Sequence, residues 1–268
     1  MHIYIETLAH TNRLRDLPPA HKLGLAFAVL FIAFISHAPV QLAIIFWMAV
    51  WTVGYAGIPA GIYLKMMAGA GVFLLVSLPA LAVNIISGSQ MHLLQGDEWV
   101  GAVLGGWYFY ISRTGTHTAL GIAARSGACV SCLFFALLTV PFSEILQVLR
   151  QMGCPALLTE LLLLMYRFIF VLLRTAAELW VARESRNGNR SWRIAWGSLG
   201  LLISQLFITT FERYRQVSLT LASRGFTGEF RVWHRRRHYR LSRRYALEAF
   251  LGCLVLLSWE FLTVYNLK

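Results

Sequence analysis

Charge is scarce in this sequence. Only 13% of its 268 residues are Asp, Glu, Lys or Arg, about half of the roughly 25% usual in soluble domains. Acids are the scarcer sign, 12 against 24 Lys and Arg, so the formal net charge is +12. Hydrophobic residues reach 57%, where a soluble chain has about 45–50%. One core cannot hide that much apolar side chain, so lipid must cover the excess. Cysteine is sparse too. Cys129, Cys132, Cys154 and Cys253 lie in or beside apolar segments, which argues against a disulfide framework. The polar start, without an early apolar run, gives no sign of a cleaved signal peptide.

Chemistry-bearing motifs are also missing. There is no Gly-x-x-x-x-Gly-Lys-Ser/Thr loop to cradle a nucleotide triphosphate, and no His-Glu-x-x-His. His234 and His238 are four apart, but they stand among Arg residues that would repel a cation. The other His residues are scattered, and Cys129-x-x-Cys132 lies inside an apolar run, where two core thiols explain it better than a redox or metal pair. No ladder of carboxylates crosses the apolar runs, as an ion-driven carrier would need. Arg125 is the exception at membrane depth, and it is expected to be paired inside the bundle. No catalytic residue, metal or cofactor is therefore expected in this chain. Nucleic acid is excluded as a partner because no soluble basic module carries the Arg excess.

What is present is a series of apolar runs. Residues 23–35 and 40–55 form a helical hairpin, opened by Pro18-Pro19 and broken at Ser36-His37-Ala38-Pro39. Residues 66–86 make a third span. Residues 100–111 are too short to cross and rich in aromatics, which suits the membrane interface. A fourth span covers residues 116–140, and a fifth covers 245–265. The loop at 87–98, free of Lys and Arg, then falls outside, with the N-terminus in the cytoplasm.

Between the fourth and fifth spans come two long helical segments. In residues 156–182 the charges Glu160, Arg167, Arg174 and Glu178 share one helical face. Residues 192–223 are apolar at first and polar later, with Arg clusters at both ends. A single crossing would put one cluster outside, against the positive-inside rule. The two segments therefore read as long arms dipping into or lying along the membrane. Residues 231–244 hold seven Arg, suited to anionic headgroups. The chain divides into residues 1–140 (four spans), 141–230 (cytoplasmic coupling helices) and 231–268 (basic segment and last span). The fold class is all-α: a polytopic membrane protein with about five transmembrane helices and a cytoplasmic module of long crossing helices.

The two arms end alike. Ser185-Arg186 precedes Asn187-Gly188, and Ser223-Arg224 precedes Gly225. A cation at a helix C-terminus is favoured by the macrodipole. Such an Arg, between small neighbours, can also offer its planar fork to a partner's carboxylates or carbonyls. Ordinary capping with positive-inside charge accounts for the same pattern.

At these residues the chain resembles the transmembrane (T) components of energy-coupling-factor transporters, which are ABC importers, and among them the cobalt-type CbiQ family. The resemblance rests on Leu221-Ala222-Ser223-Arg224-Gly225-Phe226-Thr227-Gly228, on Asn12-Arg13-Leu14 with Pro19-x-x-Lys22, on Pro141-x-Ser143-Glu144-Ile145-Leu146, and on Tyr166-Arg167-Phe168. It implies a non-catalytic subunit in the bacterial inner membrane. Two cytoplasmic ABC ATPases hold the ATP and Mg, and a separate substrate-binding membrane subunit (cobalt-type S component) takes the ion. It also implies that Arg224 enters a groove of one ATPase and Arg186 that of the other. Ser223 stands where Ala is usual. Ser185-Arg186-Asn187 lacks both the Ala and the Gly, and Ala182-Arg183 offers another register. A stand-alone channel or secondary transporter is the alternative function, and nickel-type relatives look much like the cobalt type.

Overall fold

A computed structural model describes residues 2–87, 98–104, 107–185, 192–225 and 243–266. Nine α-helices run through these residues: α1 (His2–Thr11), α2 (Pro19–Ile35), α3 (Ala38–Ala49), α4 (Ala60–Ala82), α5 (Arg113–Thr139), α6 (Phe142–Gln151), α7 (Ala156–Ser185), α8 (Trp192–Ser223) and α9 (Arg243–Asn266). The chain's contacts group it into two compact units, residues 1–144 with 237–268, and residues 145–236.

The first unit is a bundle around α5, which packs against α1, α2, α3 and α4, while α9 packs against α2 and α3. Local sequence sets the helix starts. Pro19 opens α2 and Pro39 lies in the first turn of α3, where proline's missing N–H costs nothing. Ser112 caps α5, its hydroxyl accepting from the Gly115 N–H at 2.9 Å. The core holds Val29, Ala33, Val40, Ile44, Met48, Phe135 and Leu138, all fully buried. The outer faces of the same helices expose Phe27, Phe31, Phe46, Phe73 and Phe250. Apolar side chains on both sides of a helix are what a lipid solvent requires.

Both ends of this bundle are tied by polar contacts. At one end Gln41 donates to the carbonyls of Ala33 (3.2 Å) and Ser36 (2.6 Å), satisfying the end of α2. Glu260 of α9 meets the His37 ring and accepts from the His37 N–H at 3.1 Å, where α3 begins. A carboxylate is favoured at a helix N-terminus. At the other end α3 runs on as a π-helix, Val50–Tyr55. There Trp51 stacks on Tyr55 at 4.8 Å and meets Phe135 and Tyr245 edge-on at 6.3 Å, and the Tyr55 hydroxyl faces Glu248. Gly57 follows with φ +71°, a left-handed conformation that glycine adopts without strain. The Arg13 side chain packs against it so closely that a Cβ would sit 3.1 Å from Arg13 Cδ. The N-terminus of α2 and the C-terminus of α5 share this end, as the alternation of successive spans requires.

The terminal segment carries two acids with near neighbours. Glu6 faces His10 at 4.0 Å and Asp16 faces Arg15 at 3.8 Å. Partial burial pushes the Glu6 carboxyl above its ordinary range, and His10 acts against that rise.

The structure departs from the sequence expectations in three places. Residues 83–112 include a three-stranded antiparallel sheet ordered β1-β3-β2, from Val83–Ser87, Glu98–Leu104 and Trp107–Ser112. Val83 pairs with Ile111 and Leu104 with Trp107. The third helical span thus stops at Ala82, and the described residues of the aromatic piece at 100–111 are strand. Its Val, Ile, Trp, Tyr and Phe content favours a pleated surface. The regular elements among the described residues are otherwise helical.

Second, among the described residues five helical stretches are long and apolar enough to cross a membrane: Ala38–Tyr55, Ala60–Ala80, Arg113–Thr139, Ala156–Ser185 and Arg244–Thr263. Their number matches the expectation, but the set includes α7, read from its charges as an arm, and leaves α2 as a shorter apolar helix. Third, Arg125 is not inside the bundle. It is exposed on α5, with no carboxylate at ion-pair distance among the described residues.

In the second unit, α6 ends in a Schellman turn. Gly153 has φ +96°, its N–H reaches Arg150 O at 3.2 Å, and the Cys154 N–H reaches Leu149 O at 3.2 Å. Pro155 then starts the first turn of α7. The 30 residues of α7 and the 32 of α8 correspond to about 45–48 Å each at roughly 1.5 Å per residue, and the two helices pack together.

Candidate coupling site

The end of α8 is built to present one side chain. Its last turn tightens, with the Arg224 N–H on Leu221 O and the Gly225 N–H on Ala222 O, both at 3.1 Å. Gly225 follows in the left-handed region at φ +68°, which turns the chain off the helix axis without a Cβ penalty. Ala222, Ser223, Arg224 and Gly225 are all exposed. The Ser223 hydroxyl turns back to Thr220 O at 2.9 Å, so its polar atom is satisfied within the helix. What it presents outward is close to an alanine. The guanidinium of Arg224 is thus carried at the negative end of the helix dipole, between small residues.

The end of α7 is described only in part. Ser185, its exposed last residue, donates to Val181 O at 2.9 Å. Arg183 is half-buried, its guanidinium 4.8 Å from the centre of the Trp180 ring, a cation–π arrangement. Arg186 and the Asn187-Gly188 breaker lie outside the described residues, as do residues 226–242, with most of the basic stretch, His234 and His238. The structure therefore brings Ser223, Arg224 and Gly225 together in one helix end and places Arg183 and Ser185 at the other. Along α7, Arg174 pairs with Glu178 at 3.4 Å on an exposed surface.

A second polar constellation, in the first unit, was not visible as a site in the sequence. Asn12 donates its amide to Ala9 O (2.7 Å), Thr139 O (3.1 Å) and Leu138 O (3.4 Å). Lys22 donates to Thr139 O at 3.2 Å and faces the Glu144 carboxylate at 3.7 Å. Lys22 is 3% exposed, Asn12 5% and Glu144 8%. The carbonyls of Leu138 and Thr139 belong to the last turn of α5, which has no partners within its own helix. An amide and an ammonium from the N-terminal segment supply them, and the cation also meets the negative end of the dipole. The signal lay in three separate pieces: Asn12-Arg13-Leu14, Pro19-x-x-Lys22 and Pro141-x-Ser143-Glu144. Among the described residues no group of three or more His, Cys, Asp or Glu side chains could hold a metal ion.

A family model described as CbiQ, cobalt transport protein, matches residues 10–238. The chain is 28% identical to the cobalt transport protein CbiQ of Salmonella typhimurium over 85% of its own length and 99% of that protein's. It is 29% identical to the CbiQ of Rhodobacter capsulatus, covering 85% and 86% of the two chains. An uncharacterized protein of Methanocaldococcus jannaschii is 27% identical over 86% of this chain and 83% of its own.

Proposed function

This chain belongs to the CbiQ family of cobalt transport proteins, and on that premise we propose that it is the T component of an ABC-type importer, coupling ATP hydrolysis by partner subunits to uptake of cobalt ions. It is a multi-pass, mainly helical membrane protein. Two cytoplasmic ABC ATPases bind and hydrolyse ATP with Mg. Their closing moves α7 and α8, and the arms pass that motion to a separate membrane subunit that holds the ion. The chain sits in the bacterial inner membrane with its N-terminus cytoplasmic, the orientation favoured by the Arg clusters around α8.

The observation that carries this reading is the end of α8. An exposed Arg224 on a dipole-negative tip, followed by a left-handed glycine and flanked by small side chains, is a plug of the size a protein groove accepts. Arg224 docks on one ATPase. Arg186, or Arg183 in the alternative register, docks on the other.

Affinity purification of the tagged chain from cells expressing the whole gene set tests the assembly. Two ABC ATPases and one further membrane subunit are expected to come with it. A chain that holds no ABC ATPase under mild detergent would sink the reading.

A further inference from the structure

Arg125 is the thirteenth of the 27 residues of α5. At about 1.5 Å per residue it lies roughly 20 Å from either helix end. That is mid-depth in a span, where an ionised side chain is normally turned into a bundle and paired. Here it is exposed. The five acidic side chains described in its unit, Glu6, Asp16, Glu144, Glu248 and Glu260, each face another group already noted.

The surface around Arg125 has its own shape. Gly121, one turn earlier, has nothing within 4 Å of where a Cβ would stand. Thr118 and Ile122 are exposed on the same stripe. Small residues are what let two helix backbones approach within a membrane. Lipid phosphates lie at the headgroup level, far from this depth, so a headgroup cannot supply the counter-charge.

We propose that the Gly121–Arg125 stripe of α5 is the intramembrane docking face for the substrate-binding subunit, and that Arg125 pairs there with a carboxylate carried at mid-depth by one of that subunit's helices. The inference rests on the T-component reading and adds where the second membrane subunit is gripped. In the low dielectric of the bilayer the pair fixes depth and rotation of the partner helix, while the open glycine sets how close it comes.

Arg125→Glu, Arg125→Lys and wild-type chains are purified with their partners and the subunits quantified. Arg125→Glu is expected to keep the ATPases and to lose the substrate-binding subunit by at least about tenfold, with Arg125→Lys retaining most of it. A photo-crosslinking amino acid in place of Ile122 gives a readout independent of stability, and its adduct is expected on the substrate-binding subunit. A wild-type complex lacking a second membrane subunit would overturn the T-component reading, and this inference with it. If the wild type holds that subunit and Arg125→Glu does too, the inference alone fails. Adducts only to lipid or to a second copy of this chain would also overturn it. So would an equal loss from Asp97→Asn with Glu98→Gln, which would place the counter-charge within this chain.

Discussion

Replacing Arg224 with Glu is expected to abolish ATP-driven uptake while leaving the chain inserted and folded. Arg224 is exposed at the tip of α8 and forms no ion pair among the described residues. Its removal therefore costs the isolated chain little, within about 0.5 kcal/mol for such a surface site. On the proposed docking, the same side chain would enter a groove of an ATPase and lose its water. Truncating one partner of a desolvated charge pair costs about 2–5 kcal/mol, or roughly 30-fold to 5000-fold in affinity, and reversing the charge costs more. Capture of the ATPases measures this directly, with uptake as the second readout. Arg224→Lys should fall between, because an ammonium keeps the charge and loses the planar fork. Glu at position 186 and at 183, made separately, decides the register on α7: one variant is expected to lose ATPase coupling and the other to keep it. Unaffected uptake in the Arg224→Glu variant would refute the docking role.

Lys22→Met is expected to produce a large loss of stability rather than of partner binding. It removes the cation from beside the Glu144 carboxylate and from the last carbonyl of α5, at a site where Lys22 is 3% exposed and Glu144 8%. Breaking a buried pair by deleting one partner typically costs about 3–5 kcal/mol, whereas removing both charges together costs far less. The double variant Lys22→Met with Glu144→Gln should therefore recover most of the loss. Thermal unfolding of the four proteins in one detergent gives the full cycle. Equal stabilities for the wild type and Lys22→Met would mean that the junction does not hold α2 to the end of α5.

Some elements could be read from residues alone because their causes are local. Pro18-Pro19 and Ser36-His37-Ala38-Pro39 delimit α2 and the start of α3, since proline acts on its own backbone. Gly225 ends α8 for a similarly local reason. The sheet at residues 83–112 was not legible, because a run of Val, Ile and aromatics serves an interfacial segment and a strand equally well. Arg125 was misplaced by a general rule about charges in membranes, because nothing in the local sequence tells which face of α5 turns toward the bundle. The polar junction escaped because Asn12 and Thr139 are 127 residues apart, and sequence pattern carries no register between distant helices. Ser223-Arg224-Gly225 was legible as a helix end, but the exposure of its Arg and the inward turn of the Ser223 hydroxyl needed coordinates.

The central claim is that this chain transmits energy it cannot itself supply, and uptake of radiolabelled cobalt into proteoliposomes tests it most directly. The purified chain alone is compared with the chain reconstituted with its two ATPases and the substrate-binding subunit, each with and without ATP inside the assay. The account predicts uptake only in the full assembly and only with ATP. Cobalt entry through the chain alone would contradict it and would make this protein a channel or carrier in its own right.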